Sequence, residues 1–241
     1  KVGMIHPIES YWLTFGPNEQ TAAARTQMNT RFENATKWML SGLIDFDFIC
    51  ESLLPEQCAT ASAPLQVGEM AYDAIVVPAC DTLRSTTLER LEAFVAAGGQ
   101  LIFMGKAPRY CDALPSERGR LLWEKSTHID FDAQALMEQL QPLRLGDIRR
   151  PNGSRTDDLI YQMRQDGDDR WLFLAHNRQS SNPDISRPFD LKLTLDGVYQ
   201  VEEYDTQTGE IRPLAVTHRG GKTLFDKTLY INDSLLVRLT H

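Results

Sequence analysis

Residue types able to do chemistry gather behind the apolar runs of the first half of the chain. His6, Glu9, Tyr11 and Trp12 fall at the end of the run Val2–Ile8, and Glu51 falls late in Phe46–Leu54. Cys80 and Asp81 follow Tyr72–Pro78, and Lys106 and Arg109 follow Gln100–Gly105. In an open parallel sheet, ligands sit outside the carboxyl ends of the strands, which makes these residues the binding candidates. Carboxylates and a histidine accept hydrogen bonds from hydroxyl groups, and tyrosine and tryptophan offer flat apolar faces to a sugar ring, so the set suits a polyol. The competing reading is that Tyr11, Trp12 and Phe15 pack their loop onto its own domain or onto a neighbouring one, since exposed aromatics mark contact surfaces of every kind.

Other chemistries find less support. The four cysteines, Cys50, Cys58, Cys80 and Cys111, form no C-x-x-C pair and have no metal-ligand spacing. They read as free structural thiols, which favours a reducing, cytoplasmic compartment. The five histidines are scattered, so no metal site is expected, and no residue pattern calls for a cofactor. A glycosidase carboxylate pair must face a shared substrate cleft. Asp45 and Asp47 share a strand face at the wrong end of the sheet, and Glu202 and Glu203 point to opposite faces of theirs.

The elements that must position these residues are of two kinds. Up to about residue 150, apolar runs alternate with helical patterns, the grammar of an α/β domain with a parallel sheet. After the first strand, Glu9–Asn18 reads as a loop. A helix follows, with Met28, Phe32, Ala35, Trp38 and Met39 at three- and four-residue spacing and Gly42 as its stop. Phe46–Leu54, ended by Pro55, Tyr72–Pro78 and Gln100–Gly105 are the further strands. Thr86-x-x-Glu89 matches a capping box, Gly98-Gly99 a helix stop, and Asp132 a cap for a last helix closed by Pro142. Pro108–Arg120 reads as a surface excursion.

From 151 to 241 short strands recur between turn signals such as Asp196-Gly197 and Thr208-Gly209, as in an antiparallel β-sandwich. The expected division is therefore an α/β domain over 1–150 and a sandwich over 151–241.

Composition narrows the partners. The 241 residues carry 25 Lys and Arg against 33 Asp and Glu, a net charge of −8, with no basic cluster to meet nucleic acid. No apolar run approaches the roughly 20 residues of a membrane span. The opening Lys1-Val2-Gly3-Met4-Ile5 is strand-like, with neither initiator Met nor charged leader, and reads as a cut inside a longer protein.

Two stretches resemble bacterial glycoside hydrolases. His6-Pro7-Ile8-Glu9-Ser10-Tyr11-Trp12, followed by Asp45–Ile49 and Tyr72–Pro78, is similar to the amidotransferase-like domain that follows the catalytic barrel in family 42 β-galactosidases and in α-L-rhamnosidase-type enzymes. Trp171–Asn177 with Glu203-Tyr204-Asp205-Thr206-Gln207-Thr208-Gly209-Glu210 is similar to the β-sandwich near the end of those enzymes, where the Asp-to-Thr-Gly-Glu segment makes a hairpin. The strand order also resembles the class I glutamine amidotransferase-like (flavodoxin-like) fold. There, a catalytic cysteine occupies the elbow that reads Met104-Gly105-Lys106 here, without a cysteine.

The resemblance implies a non-catalytic accessory part of a glycosidase, shaping the substrate cleft or the oligomer interface. Its partners would be the catalytic barrel of the parent chain, a carbohydrate and a second copy. No catalytic residue carries over, because the (β/α)₈ barrel that bears the acid and nucleophile is absent. A stand-alone carbohydrate-binding protein, and a hydrolase or amidotransferase using Cys80 or Cys111, are the alternatives.

Overall fold

The computed structural model describes residues 1–156, 158–177, 182, 188–230 and 232–241. The chain divides into two compact units, Lys1–Met39 with Phe46–Leu143, and Leu40–Asp45 with Arg144–His241.

The elements of the first unit run β1 (Val2–Ile5), α1 (Ile8–Leu13), α2 (Asn18–Ser41, whose last two residues fall in the second unit), β2 (Phe46–Ile49), α3 (Leu54–Gln57), β3 (Leu65–Val67), β4 (Met70–Tyr72) and β5 (Ala74–Val77). They continue with β6 (Thr82–Leu83), α4 (Ser85–Ala96), β7 (Gln100–Met104), β8 (Tyr110–Cys111), β9 (Leu114–Pro115), α5 (Arg118–Glu124), β10 (Thr127–Ile129) and α6 (Ala133–Leu140). Five strands form a parallel sheet in the order β10-β7-β5-β1-β2. Numbered by their appearance in this sheet, that order is 2-1-3-4-5, a doubly wound arrangement whose direction of winding reverses between β1 and β5. Every residue of β1 and β5 is buried, as expected of apolar strands covered on both faces. Ile5, Ile49, Ile75, Val77, Leu88, Leu91, Phe94 and Phe103 belong to one core.

Several local expectations meet a different structure. The first strand ends at Ile5, and much of the expected loop Glu9–Asn18 is helix α1. Pro7, with φ −80°, stands at its N-cap, and its carbonyl accepts the Tyr11 N–H at 3.2 Å. The second strand ends at Ile49, because the Cys50 carbonyl accepts the N–H groups of Leu53 and Leu54 and turns the chain. Pro55 then sits in the first turn of α3, where its missing N–H costs nothing. The box at Thr86 and Glu89 does not cap α4, whose N-cap is Arg84 without a side-chain cap of its own. Pro108–Arg120 holds the hairpin β8–β9 and the start of α5, and the edge strand β10 carried too short an apolar signal to be foreseen.

Two helix ends follow the sequence closely. Gly98, at φ +89°, donates to the Val95 carbonyl, and Gly99 donates to that of Phe94, closing α4 with a Schellman pair. At α6 the Asp132 carboxylate accepts the Ala135 N–H at 3.0 Å. Asp132→Ala is expected to cost about 1 kcal/mol, the usual worth of such a cap. A denaturation midpoint equal to that of the unchanged chain would contradict it.

The second unit contains β11 (Gly146–Arg149), β12 (Leu159–Asp166), β13 (Asp169–His176), β14 (Phe189–Asp196), β15 (Gln200–Tyr204), β16 (Ile211–Pro213), β17 (Thr217–Arg219), β18 (Lys222–Leu229) and β19 (Ser234–Thr240). They form two antiparallel sheets, β11-β14-β18-β17 and β12-β13-β19-β15-β16. Inward residues of both sheets, among them Leu172, Leu174, Leu191, Leu193, Phe225 and Leu235, share one core. Strand β14 alternates buried and more exposed positions, the pattern of a sheet with one covered face.

β11, placed by the sequence reading in the α/β domain, pairs instead with β14. The segment Leu40–Asp45 also joins this unit. Leu43 enters the second core, and the Arg144 guanidinium donates to the Gly42 carbonyl.

The hairpin at Asp205 has the expected form. Its carboxylate accepts the N–H groups of Gln207 and Thr208 at 2.9 and 2.8 Å, and its own N–H donates to the Glu210 carbonyl. Trp171 and Tyr204, from the two motifs of the sandwich resemblance, meet edge to face at 4.9 Å.

Candidate functional site

The winding reversal between β1 and β5 opens a crevice beyond their carboxyl ends, the usual place for a ligand in such a sheet. The chain leaving β1 becomes α1, and the chain leaving β5 becomes β6 and then α4. Ser10 of α1, fully buried, ties the two together. Its Oγ accepts the N–H groups of Asp81 and Thr82, both at 2.9 Å, and donates to the Thr82 carbonyl at 3.1 Å.

Beside this tie lies an open cleft of about 370 Å³ lined by Glu9, Trp12, Leu13, Thr82, Leu83, Arg84, Asp112 and Ala113. Arg84 Nε donates to Glu9 Oε1 at 2.6 Å across the cleft lining. This pairing holds the guanidinium more firmly protonated than an ordinary arginine. The hairpin β8–β9 supplies the opposite wall through Asp112 and Ala113, both at positive φ (48° and 64°), as its two-residue turn requires. Thr82 Oγ1 accepts the Ala113 N–H at 3.2 Å, and the Leu83 carbonyl accepts that of Asp112 at 3.1 Å, so β6 holds the turn in place.

Two carboxylates from distant parts of the sequence cap α4. Glu51 Oε2 accepts the Arg84 N–H at 2.8 Å, and Asp112 Oδ1 accepts the Ser85 N–H at 2.9 Å. Both complement the positive end of the helix. The two differ in state. Hydrogen bonding from Ser85 holds the Asp112 carboxyl below its ordinary value, whereas burial pushes Glu51 above its own against the pull of the Arg84 N–H.

The residues expected at the strand ends are partly brought together. Glu9 and Trp12 line the cleft, and Glu51 is buried at the N-terminus of α4. Asp81 and Arg109 pair with each other at 3.1 Å, outside the cleft lining. Tyr11 is partly exposed on α1 without lining the cleft. His6 lies outside the cleft lining, its ring 5.0 Å from that of Phe32 and 6.4 Å from that of Phe48 in an aromatic cluster. Arg84 and Asp112 were not foreseen. Arg84 precedes a helix without resembling a cap, and Asp112 sits in what read as surface excursion.

Among the described residues no group of three or more His, Cys, Asp or Glu is placed to hold a metal ion, and no helix is long and apolar enough to cross a membrane. All four cysteines are free. Cys80 is held in its neutral thiol form by burial and by the charges of Glu51 and Asp81, the reverse of what a nucleophile needs. Cys111 is likewise pushed up by burial.

No family model matches the sequence, and no curated protein does. Solved structures do. A rhamnosidase from Novosphingobium sp. PP1Y superposes with a TM-score of 0.59 at 19% identity, over 80% of this chain and 19% of that one. A GH42 beta-galactosidase from G. stearothermophilus gives 0.61 at 12% identity, over 100% and 40%. Alpha-L-fucosidase isoenzyme 2 from Paenibacillus thiaminolyticus gives 0.56 at 11% identity, over 100% and 48%. The chain thus spans between about a fifth and a half of the length of these structures. At such identities the likeness establishes the fold, a parallel α/β unit followed by antiparallel sheets, which this chain shares with portions of glycoside hydrolase chains.

Proposed function

We propose that this chain is a non-catalytic accessory portion of a bacterial, cytoplasmic glycoside hydrolase, helping to shape its substrate cleft or oligomer interface. The observation that carries the reading is likeness in fold over the whole chain to 40% of a GH42 beta-galactosidase. The first unit is then an amidotransferase-like domain that lacks the family's chemistry. Its elbow position is Gly105, whose carbonyl accepts the Trp123 indole N–H at 3.1 Å, and Cys80 is held as a neutral thiol.

The partner in this reading is the catalytic barrel of the parent chain, with a second copy of the chain as a further contact. Phe15 and Tyr11, 79% and 36% exposed, form the apolar contact surface. Free cysteines accord with a reducing compartment.

The 241-residue chain should release no nitrophenol from nitrophenyl galactosides, rhamnosides or fucosides above the buffer rate, while the parent enzyme turns over one of them. Turnover by the isolated chain at ordinary enzymatic rates, on the order of 1 per second or more, would overturn the proposal.

A further inference from the structure

We propose that the cleft between α1, β6 and the β8–β9 turn is a binding site for a neutral monosaccharide unit. The site is independent of whatever role the whole chain has in catalysis.

The argument begins with what the cleft excludes. A crevice beside the N-terminus of α4 would ordinarily attract an anion. Here the Arg84 and Ser85 N–H groups are already taken by the carboxylates of Glu51 and Asp112. The lining itself carries two carboxylates, Glu9 and Asp112, against the single guanidinium of Arg84. A phosphate, nucleotide or acidic peptide would meet net negative charge and no free helix terminus.

What remains suits hydroxyl groups. Glu9 commits Oε1 to Arg84 and keeps Oε2 as acceptor; Asp112 commits Oδ1 to Ser85, and its Oδ2, which meets only the Cys111 thiol at 4.0 Å, keeps lone-pair capacity for a further donor. Arg84 meets Glu9 through Nε, which leaves its terminal N–H groups as donors. Acceptors and donors within one cleft match the vicinal hydroxyls of a pyranose, each of which can both give and take a hydrogen bond.

The apolar face of such a ring needs a flat surface. Trp12 lines the cleft and is 59% exposed, with Leu13 beside it. At about 370 Å³ the cleft lies at the small end of ligand-sized pockets, enough for one sugar unit with its water. Its walls are fixed before any ligand arrives. Ser10 locks α1 to β6, and the Thr82 hydroxyl and Leu83 carbonyl lock the Asp112-Ala113 turn.

Titration calorimetry of the 241-residue chain against D-galactose, D-glucose, L-rhamnose and L-fucose, with inorganic phosphate as the contrasting probe, tests the assignment. At least one sugar should bind at millimolar strength and phosphate should not. Trp12→Ala and Asp112→Asn should each weaken that sugar about tenfold or more, with circular dichroism unchanged. Trp12 is a surface residue, so its variant decides the matter alone if Asp112→Asn unfolds the hairpin. Absence of heat with all four sugars would overturn the proposal, as would sugar binding undiminished by Trp12→Ala, or preference for phosphate. None of these outcomes bears on hydrolysis, so failure here and failure of the accessory reading are separately visible.

Discussion

Phe94→Ala is expected to lower the stability of the first unit by about 3–5 kcal/mol, the range for removing a buried aromatic ring. Phe94 is fully buried among the residues packed on the sheet by α4. A domain is typically stable by only about 5–15 kcal/mol, so the loss would take a large share of the total.

The same ring accounts for Gly99. A methyl group there would lie 2.2–2.4 Å from Phe94 Cε2, Cδ2 and Cζ, a separation no relaxed structure contains. The two terminal glycines of α4 thus serve different ends. Gly98 is needed for its positive φ, and Gly99 because Phe94 occupies the space a side chain would take. Gly99→Ala should cost about 1–3 kcal/mol in the unchanged chain, as overpacking does, and little once Phe94 is alanine. The double variant should therefore be more stable than the sum of the single losses by about 1 kcal/mol or more. Additive losses in urea titrations, within about 0.5 kcal/mol, would mean that the ring does not lie over Gly99.

The second large effect is expected at Glu51. Its side chain is fully buried and accepts the Arg84 N–H. Glu51→Ala leaves that donor buried and unpaired, a loss of about 1–3 kcal/mol before the vacated space is counted. Glu51→Gln keeps an acceptor and removes the charge, so it should match or exceed the unchanged chain at neutral pH.

The pH dependence gives the sharper test. Burial raises the folded carboxyl above its ordinary value, reinforced by the charge of Glu9 and opposed by the Arg84 N–H and guanidinium. A carboxyl raised on folding holds its proton more tightly in the folded state. Its contribution is therefore most favourable below the unfolded value, near pH ~4.3, and is lost as pH climbs from there through the folded value. Glu51→Gln should remove this component of the pH profile and leave the rest. Parallel profiles for the two proteins across that window would show that Glu51 does not titrate there.

How much of this was legible in the sequence depended on the range of the interactions. Strand β5 and the helix cap at Asp132 followed from patterns a few residues long, as did the hairpin at Asp205. Misreadings came where a short apolar run outlasted its strand. Ile8 extends the Val2–Ile5 pattern, yet Pro7 sets up α1. Leu53 and Leu54 extend Phe46–Ile49, yet the turn at Cys50 intervenes. Edge strands β10 and β11 were missed because three or four residues give no period to read. Strand-end position alone does not say which way a ring turns, and the His6 ring lies beside Phe32 and Phe48.

By itself the sequence determined that an alternating α/β region precedes a strand-rich one, and which residues stand at the ends of the parallel strands. Those properties arise from hydrophobic period and from caps that act within one turn of chain. Only the tertiary structure decided which strand ends become neighbours. Because the sheet is ordered 2-1-3-4-5, α1 comes to lie against β6, 71 and 72 residues along the chain at the Ser10 tie. Glu51 and Asp112, 33 and 27 residues from the N–H groups they accept, replace the local cap that Thr86 and Glu89 had promised. A carboxylate that satisfies a helix end from another loop leaves no periodic trace in the sequence, since only the fold brings donor and acceptor within 3 Å.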